Sequence, residues 1–600
     1  MNFKRYIILI SCFLSVTFNS TLFAYNGYPE TDYIIVGVGT AGALFAKSLT
    51  DDKKTSVVAF HNGSNNDQSP LISNSENATF TVLDALIGLP FYQIASSIPQ
   101  PNADNRNVDW VMAFPLGGAS SINAGAYCRG TNQLYAQWEA IAGPLWSVNQ
   151  ILNIYKDLES YHGKTTNPCA RGFFGPLSVR QNPNPSPVAL KFQQAVINAT
   201  GLPSVLDYND PNTPIGASSQ FQYTQTGNNG EFRASSSITF LNKKVMNKKG
   251  YGVKGRKLRV VFNSTALKVI WKGNKAIGIE YVRNGKFKKA YARKGVIVCA
   301  GIQSSAFLLH SGVGPRALLN SLGIPVIFDN PNVGQGLADQ PHIVMLYTTN
   351  PNDTLSGINI LPLFQFNQVI SAFENTSIGE QSFQALNLPI DDLSVDFNLL
   401  SKLNKPVNTS SGLFSQFSWL PAPGGDPNIR ALRFTIANPL PGIAIAILDL
   451  VQPKSRGSIT INTPDPCVPP VIDLGLLTNP DDLTLFQQGF QIYIKSINAA
   501  LQAIDPEYQL IFPDPAIIDD IGLLTEFIKQ EIGPNMHFQS HCRMAPLEQG
   551  GVVDSTGRVY GVKNLIVADN SINPVGMDGS PMASGYLVAA NIARILKHHG

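Results

Sequence analysis

The chain has 600 residues, 44% of them apolar, only 14% charged, and a formal net charge of +3 at pH 7. That length is too great for one simple core and calls for two connected domains, and the apolar fraction is that of a globular protein. The near-neutral balance, with no basic aromatic stripe, predicts no nucleic-acid partner and leaves solubility to Asn, Ser, Thr and Gln.

Lys4 and Arg5 precede an apolar run, Tyr6–Val16, that is too short to span a bilayer as a helix. The pattern predicts a secretory signal over residues 1–24, and with it a secreted or extracytoplasmic protein with no transmembrane segment after cleavage. Leu22 is a poor residue before a cut at Ala24, so an uncleaved anchor and a lipoprotein site ending at Cys12 stand as alternatives. Cys128, Cys169, Cys299, Cys467 and Cys542 then remain, without metal-ligand spacing, and an odd number leaves at least one free thiol unless chains are cross-linked. Sequons at Asn62, Asn77, Asn198, Asn263, Asn352, Asn375 and Asn408 permit glycans without requiring them in a chain this rich in Asn and Ser.

Next comes an apolar strand, "DYIIV", a Gly-rich turn, "VGVGTAG" at Val36–Gly42, and a helical run, "ALFAKSLTDD". Gly37, Gly39 and Gly42 fit the dinucleotide fingerprint, whose glycines serve the tight turn, close approach to pyrophosphate and helix–strand packing. "TSVVAF", Thr55–Phe60, reads as the second parallel strand and Asn62–Asn77 as loop. A second loop, "PLGGASSINAGAYCRG" at Pro115–Gly130, offers backbone N–H groups and short donors that can wrap an anion or a ring edge. "GPLSVRQ", Gly175–Gln181, reads as a strand entering a second domain, and the stretch Lys257–Val282 as strands broken by a hairpin at "KGN". "KGVIVCAG", Lys294–Gly301, is a buried-strand pattern followed by a helical "SSAFLLHS". Residues 345–450 read as an antiparallel sheet with long loops, the run from Asn479 as an amphipathic helix, and "SGYLVAANIARILKHHG" as a last helix returning to the first domain.

"GGASSINAGAYCRG" resembles the first signature of the glucose–methanol–choline (GMC) flavoprotein oxidoreductases, and "GIQSSAFLLHSGVGP" at Gly301–Pro315 resembles the second. "NVGQGLADQP", "PKSRGSI", "MHFQSHCRM" and "LIVADNSINP" continue the match in order, over roughly Asp32 to Leu596, with Tyr347–Ile447 the least family-like stretch. The resemblance implies an α/β FAD-binding (Rossmann-like) domain plus an α+β substrate domain with an antiparallel sheet. The expected division is 30–160, 200–315 and 545–600 for the first, and 161–199 and 316–544 for the second. It implies FAD held by Gly37, Gly39, Gly42, Gly117, Gly118, Ser120, Asn123, Ala266 and Asp569, with a strand-end cap as the alternative for Asp569. It further implies an alcohol substrate oxidised to a carbonyl, hydride transfer to flavin N5, and oxygen or a quinone as electron acceptor.

His537 aligns with the family's proton-accepting histidine, and the chemistry needs such a base as hydride leaves the carbinol carbon. Three positions depart from the pattern. His61 in "AFHNG" replaces the acid expected on the ribose hydroxyls, and a neutral imidazole accepts one hydrogen bond where a carboxylate takes two. Ser580 stands where the family places His or Asn, and its short stem is expected to stop short of the substrate oxygen. His541 stands in place of Thr or Gly, and either substitutes for the missing group or fills space. Asp339–Gln340 replaces the usual Asp–His. Arg129 and Arg233 are candidate anion contacts, and surface or loop ion pairs explain either as well. Two other readings stay open: a surface or structural protein with weakened FAD binding or lost catalysis, and a lyase splitting cyanohydrins without net redox.

Overall fold

The computed structural model describes residues 30–73, 91–213, 215–228, 231–353, 414–440 and 442–599. The expected signal segment and the sequons at Asn77, Asn375 and Asn408 lie outside them, as do residues 354–413 of the expected antiparallel sheet.

The first domain is a seven-stranded sheet. Strands β1 (Thr31–Val36), β2 (Val57–Phe60) and β3 (Leu258–Val261) run parallel, and β4 (Ser264–Lys272), β5 (Lys275–Arg283) and β6 (Lys286–Val298) form an antiparallel extension. Strand β6 belongs to both parts because its sequence changes character. Its alternating first half, from Lys286, pairs antiparallel with β5, whereas the continuous apolar Val296–Val298 is buried and pairs parallel with β1. The strand thus begins earlier than the expected Lys294. The hairpin expected at "KGN" is the β4–β5 turn, Lys272 facing Lys275. Helix α1 (Thr40–Thr50) follows β1 and buries Leu44, Phe45 and Leu49. A short helix, Pro70–Ser73, occurs within the stretch expected as loop.

The second domain rests on a six-stranded antiparallel sheet. Helix α2 (Pro187–Thr200) covers it, and its central strands are β7 (His342–Thr348), β8 (Phe414–Leu420), β9 (Leu432–Leu440) and β10 (Ile443–Leu450), in spatial order β7–β10–β9–β8. Gly216–Ser218 adds the edge next to β8, although it falls within the 200–315 segment expected in the first domain. Ile343, Met345, Leu432, Phe434, Ile436 and Leu448 point to one face and are buried beneath the helices, each contributing about 1.5–3 kcal/mol. The single helix expected from Asn479 is helix α3 (Pro480–Gln488), a π-helical turn Gly489–Ile494, and helix α4 (Lys495–Ile504). The turn begins where the helix runs closest to the sheet: a Cβ on Gly489 would lie 3.1 Å from Leu448 and 3.2 Å from Leu432. The chain then returns to the first domain as strand β11 (Leu565–Val567), parallel to β6, and helix α5 (Met582–His599), which packs on α1.

Candidate active site

The carboxyl ends of β1, β2, β6 and β11 open on one edge of the first sheet, which brings Gly37, His61, Gly301 and Asp569 together there. Gly37 has φ +88°, and a Cβ on Gly42 would lie 2.1 Å from the Gly37 carbonyl oxygen, so the turn admits glycine alone at that approach. Helix α1 has Gly39 at its N-cap and no side chain capping it. Ala43 is the first residue whose N–H returns to the turn, to Gly39 O, and among the described residues the N–H groups of Thr40, Ala41 and Gly42 have no acceptor. A helix N-terminus left open in this way suits an anion. Gly118, at φ +56°, closes over it, and a Cβ there would meet Gly39 Cα at 2.9 Å.

The other expected cofactor residues divide by how their polar atoms are spent. Ser120 Oγ donates to Gly117 O and accepts from Ser236 N–H, so this buried hydroxyl braces its own loop and is not presented to a ligand. Asn123 Oδ1 accepts from Gly125 N–H, and the buried Arg233 clamps the loop through Ser120 O, Asn123 O and Asn123 Oδ1. Arg129 is likewise buried, paired with Glu159, and neither arginine is the surface contact that the sequence allowed. Asp569 caps the turn after β11 through Ser571 N–H, and also accepts from Gly301 N–H at 2.9 Å and Ser304 Oγ at 2.6 Å. Ala266 lies two residues beyond Ser264, whose N–H donates to His61 O.

His61 Nε2 stands 3.0 Å from Phe114 O, so it carries the proton and Nδ1 is left as the acceptor. Burial brings this imidazole down to about 4, which keeps it neutral at physiological pH. The open N–H groups, the glycine cradle and this single acceptor fit a dinucleotide, with one hydrogen bond where an acid would offer two.

At the domain boundary the structure brings His537 and Ser580 together with a residue not singled out for a role, Gln340. The Gln340 amide donates to Met577 O at 2.8 Å, Val451 O at 3.0 Å and Gly579 O at 3.2 Å. Those carbonyls fix which end of the amide is nitrogen, so Oε1 faces His537 Nδ1 at 2.6 Å. Nδ1 must therefore carry the proton, and Nε2 holds the lone pair. The same amide ties the imidazole to the backbone immediately before Ser580. Asp339 Oδ1 accepts the His537 backbone N–H at 2.7 Å, and burial pushes its carboxyl up to about 6 against backbone hydrogen bonds. A Gln340→Leu variant is expected to show mixed imidazole tautomers at His537 by ¹⁵N NMR where the parent shows one. It should also lose about 1–3 kcal/mol of stability, because buried carbonyls lose their donor.

His541 is not part of this cluster. The chain turns at Ser540, φ +68°, and sends His541 into the core, where Nδ1 meets Ser305 Oγ at 2.9 Å and burial lowers the imidazole to about 3. The second polar group comes instead from β9. Arg433, only 4% exposed, donates through Nη1 to Ser580 Oγ at 2.9 Å and through Nε to Asp449 Oδ2 at 2.8 Å. Asn535 Nδ2 donates to the other oxygen of Asp449. Val344, Leu346, Ile445 and Ile447, on the same sheet face as Asp449, are half-buried and continue the wall in aliphatic side chains. Nothing in the sequence singled out Arg433; an Arg alternating with Leu432 and Phe434 reads as the solvent face of a strand.

A family model described as GMC oxidoreductase matches residues 31–342, and a second with the same description matches residues 453–589. Arg433 and Asp449 lie between the two matched spans. The chain is 26% identical over 582 residues to an alcohol dehydrogenase [acceptor] of Pseudomonas putida, covering 94% of this chain and 95% of that one. It is 27% identical to an oxygen-dependent choline dehydrogenase of Brucella anthropi, covering 91% of each. Among solved structures, a pyridoxine 4-oxidase from Mesorbium loti superposes with a TM-score of 0.75 at 21% identity, covering 95% of this chain and 100% of that one. A fungal aryl-alcohol oxidase superposes with a TM-score of 0.75 at 18% identity, covering 95% and 99%. At such identities the superpositions bear on the fold alone.

Proposed function

The chain belongs to the GMC oxidoreductase family, and from that premise we propose that it is an FAD-dependent enzyme oxidising an alcohol to a carbonyl, with His537 as proton acceptor. The observation that carries this reading is the imidazole held by Gln340 with its lone pair on Nε2. The similarity to an alcohol dehydrogenase and a choline dehydrogenase over nearly the whole chain supports the substrate class.

FAD, when bound, would supply the two-electron acceptor for the carbinol hydride. The Gly37–Gly42 turn and the open N-terminus of α1 would hold its pyrophosphate, the Gly117–Asn123 loop would line the same site, and His61 Nδ1 would offer an acceptor to a ribose hydroxyl. His537 Nε2 takes the hydroxyl proton of the substrate while Gln340 keeps the ring from turning and Asp339 anchors the His537 backbone. The half-buried aliphatic wall of β7 and β10 orients the carbinol and excludes water from it. We read Lys4–Val16 as an export signal, so the mature enzyme works outside the cytoplasm with oxygen or a quinone as acceptor. Among the described residues no helix is long and apolar enough to cross a membrane.

The test is the visible spectrum of the purified protein, followed by anaerobic addition of a panel of primary and secondary alcohols. Flavin bands that bleach with an alcohol are expected, and re-oxidation by air or by a quinone identifies the acceptor. Absence of flavin bands even after FAD is added rejects cofactor binding. A bound flavin that no alcohol reduces, with cyanohydrin cleavage in the same protein, replaces oxidation by the lyase reading.

A further inference from the structure

We propose that Ser580 and Arg433 act as one oxyanion site, in which the guanidinium makes the short serine hydroxyl a strong donor to the substrate oxygen. The proposal rests on the alcohol-oxidising reading and assigns the role that the family gives to a His or Asn.

The guanidinium is fixed before any substrate arrives. Its Nε side is held by Asp449, whose second oxygen is taken by Asn535, and it lies 5.2 Å from the Phe417 ring centroid and 5.8 Å from that of Trp419. Register puts it where it is: Arg433 faces Trp419 on β8 and Asp449 on β10, on the sheet face opposite the helices. Its Nη1 reaches Ser580 Oγ at 2.9 Å.

A hydroxyl has one proton and two lone pairs. Arg433 occupies a lone pair, so the Ser580 proton must point to an acceptor. The neighbouring Cys128 thiol, itself kept protonated by burial, is a weak one. A hydroxyl that accepts from a cation is polarised and donates more strongly. The substrate oxygen that gives its proton to His537 Nε2 needs such a donor, because negative charge grows on it as the O–H bond breaks. The balance closes: the proton goes to Nε2, the hydride to FAD, and the C=O bond forms with Ser580 donating to its oxygen. Ser580 is the catalytic residue of the pair and Arg433 a positioning residue acting through it. The short stem that the sequence marks as a defect is then matched by the charge behind it.

The rival explanation is a structural ion pair, Arg433–Asp449, that uses Ser580 to satisfy a spare N–H. Removing Arg433 alone would leave a buried carboxylate unpaired and endanger folding. The experiment therefore uses Ser580→Ala, Arg433→Lys, the charge-free pair Arg433→Met with Asp449→Asn, and all three of the Ala, Met and Asn changes together. Each is made in the full chain, with FAD content and Tm as controls. Stopped-flow flavin reduction by the best alcohol is followed across substrate concentration.

Ser580→Ala and the charge-free pair are each expected to slow the limiting rate by about 10²- to 10³-fold with little change in half-saturation. The combined variant should be no more than about threefold slower than Ser580→Ala, because the pair acts through the hydroxyl. Arg433→Lys should recover at least about tenfold over the charge-free pair. Limiting rates within about threefold of the parent in Ser580→Ala or in the charge-free pair overturn the proposal, as do fully multiplicative losses in the combination. A parent that binds FAD but is inert to every alcohol removes the underlying reading, and the proposal with it. An active parent with indifferent variants removes the proposal alone.

Discussion

Replacing His537 with Ala is expected to slow flavin reduction by about 10²- to 10⁴-fold while FAD stays bound. The imidazole is the group whose lone pair is oriented by a hydrogen bond on its far side, and on the proposed reading Ala leaves the hydroxyl proton without an acceptor. His541 cannot take over, since its ring is buried against Ser305. Equal rates in parent and variant would refute the assignment of the base. The pH profile has a defined sign. Burial, then the Arg433 charge, then His342, hold His537 well below the ordinary imidazole value of 6.5. The proton-accepting form therefore persists below that value, and the rate should be flat through neutrality and fall only on more acid solution. An acid limb centred above 6.5 would contradict this electrostatic picture.

The second large effect is structural. Gly42→Ala would set a methyl 2.1 Å from the Gly37 carbonyl oxygen, and Gly37→Ala would combine a left-handed φ with a methyl 2.4 Å from Cys299 O. The obstruction is backbone tied to the ends of the parallel strands, through Gly37 N–H to Phe60 O and Cys299 N–H to Val36 O, so it cannot move aside as a flexible side chain would. Each variant is expected to lose about 3 kcal/mol or more and to purify without FAD. Gly285→Ala is the control: φ is +69° but nothing lies within 4 Å of its Cβ, so the cost should be only about 1–2 kcal/mol, with FAD retained. Calorimetric unfolding and the flavin-to-protein absorbance ratio read both effects. Similar Tm values for Gly42→Ala and Gly285→Ala would show that close approach does not govern this turn.

The parts of the fold visible in the sequence are those with local causes. The apolar runs at Asp32–Val36 and Lys294–Val298, the glycine turn between strand and helix, and the "KGN" hairpin each announce themselves within a few residues. The site was visible as far as motifs carry side chains, which covers His537, Ser580 and the glycines. It was not visible where register and long-range pairing decide. Strand β9 alternates polar and apolar residues in a way that suits a water-exposed sheet, yet its polar face looks across to Ser580, so Arg433 emerges only when the strands are paired. Gln340 stands where the family has His, and its role rests on carbonyls that come from Val451, Met577 and Gly579, far along the chain. His541 and His537 share a segment, and only the left-handed Ser540 between them separates their environments.

The neutral imidazoles buried at His61 and His541 also make acid a denaturant of this chain. In the unfolded polypeptide each would titrate near 6.5, whereas in the native core they do so near 4 and near 3. Both states hold them unprotonated above 6.5, so nothing is lost there. As pH falls from 6.5 towards 4 and then 3, unfolding takes up protons that the native protein refuses, and stability falls by roughly 3 kcal/mol through His61 and roughly 5 kcal/mol through His541. Proton uptake on unfolding, close to zero at pH 8, should therefore approach two from these sites alone by pH 5. The same burial that presents His61 Nδ1 as a clean acceptor thus sets a lower limit to the acidity in which the folded protein persists.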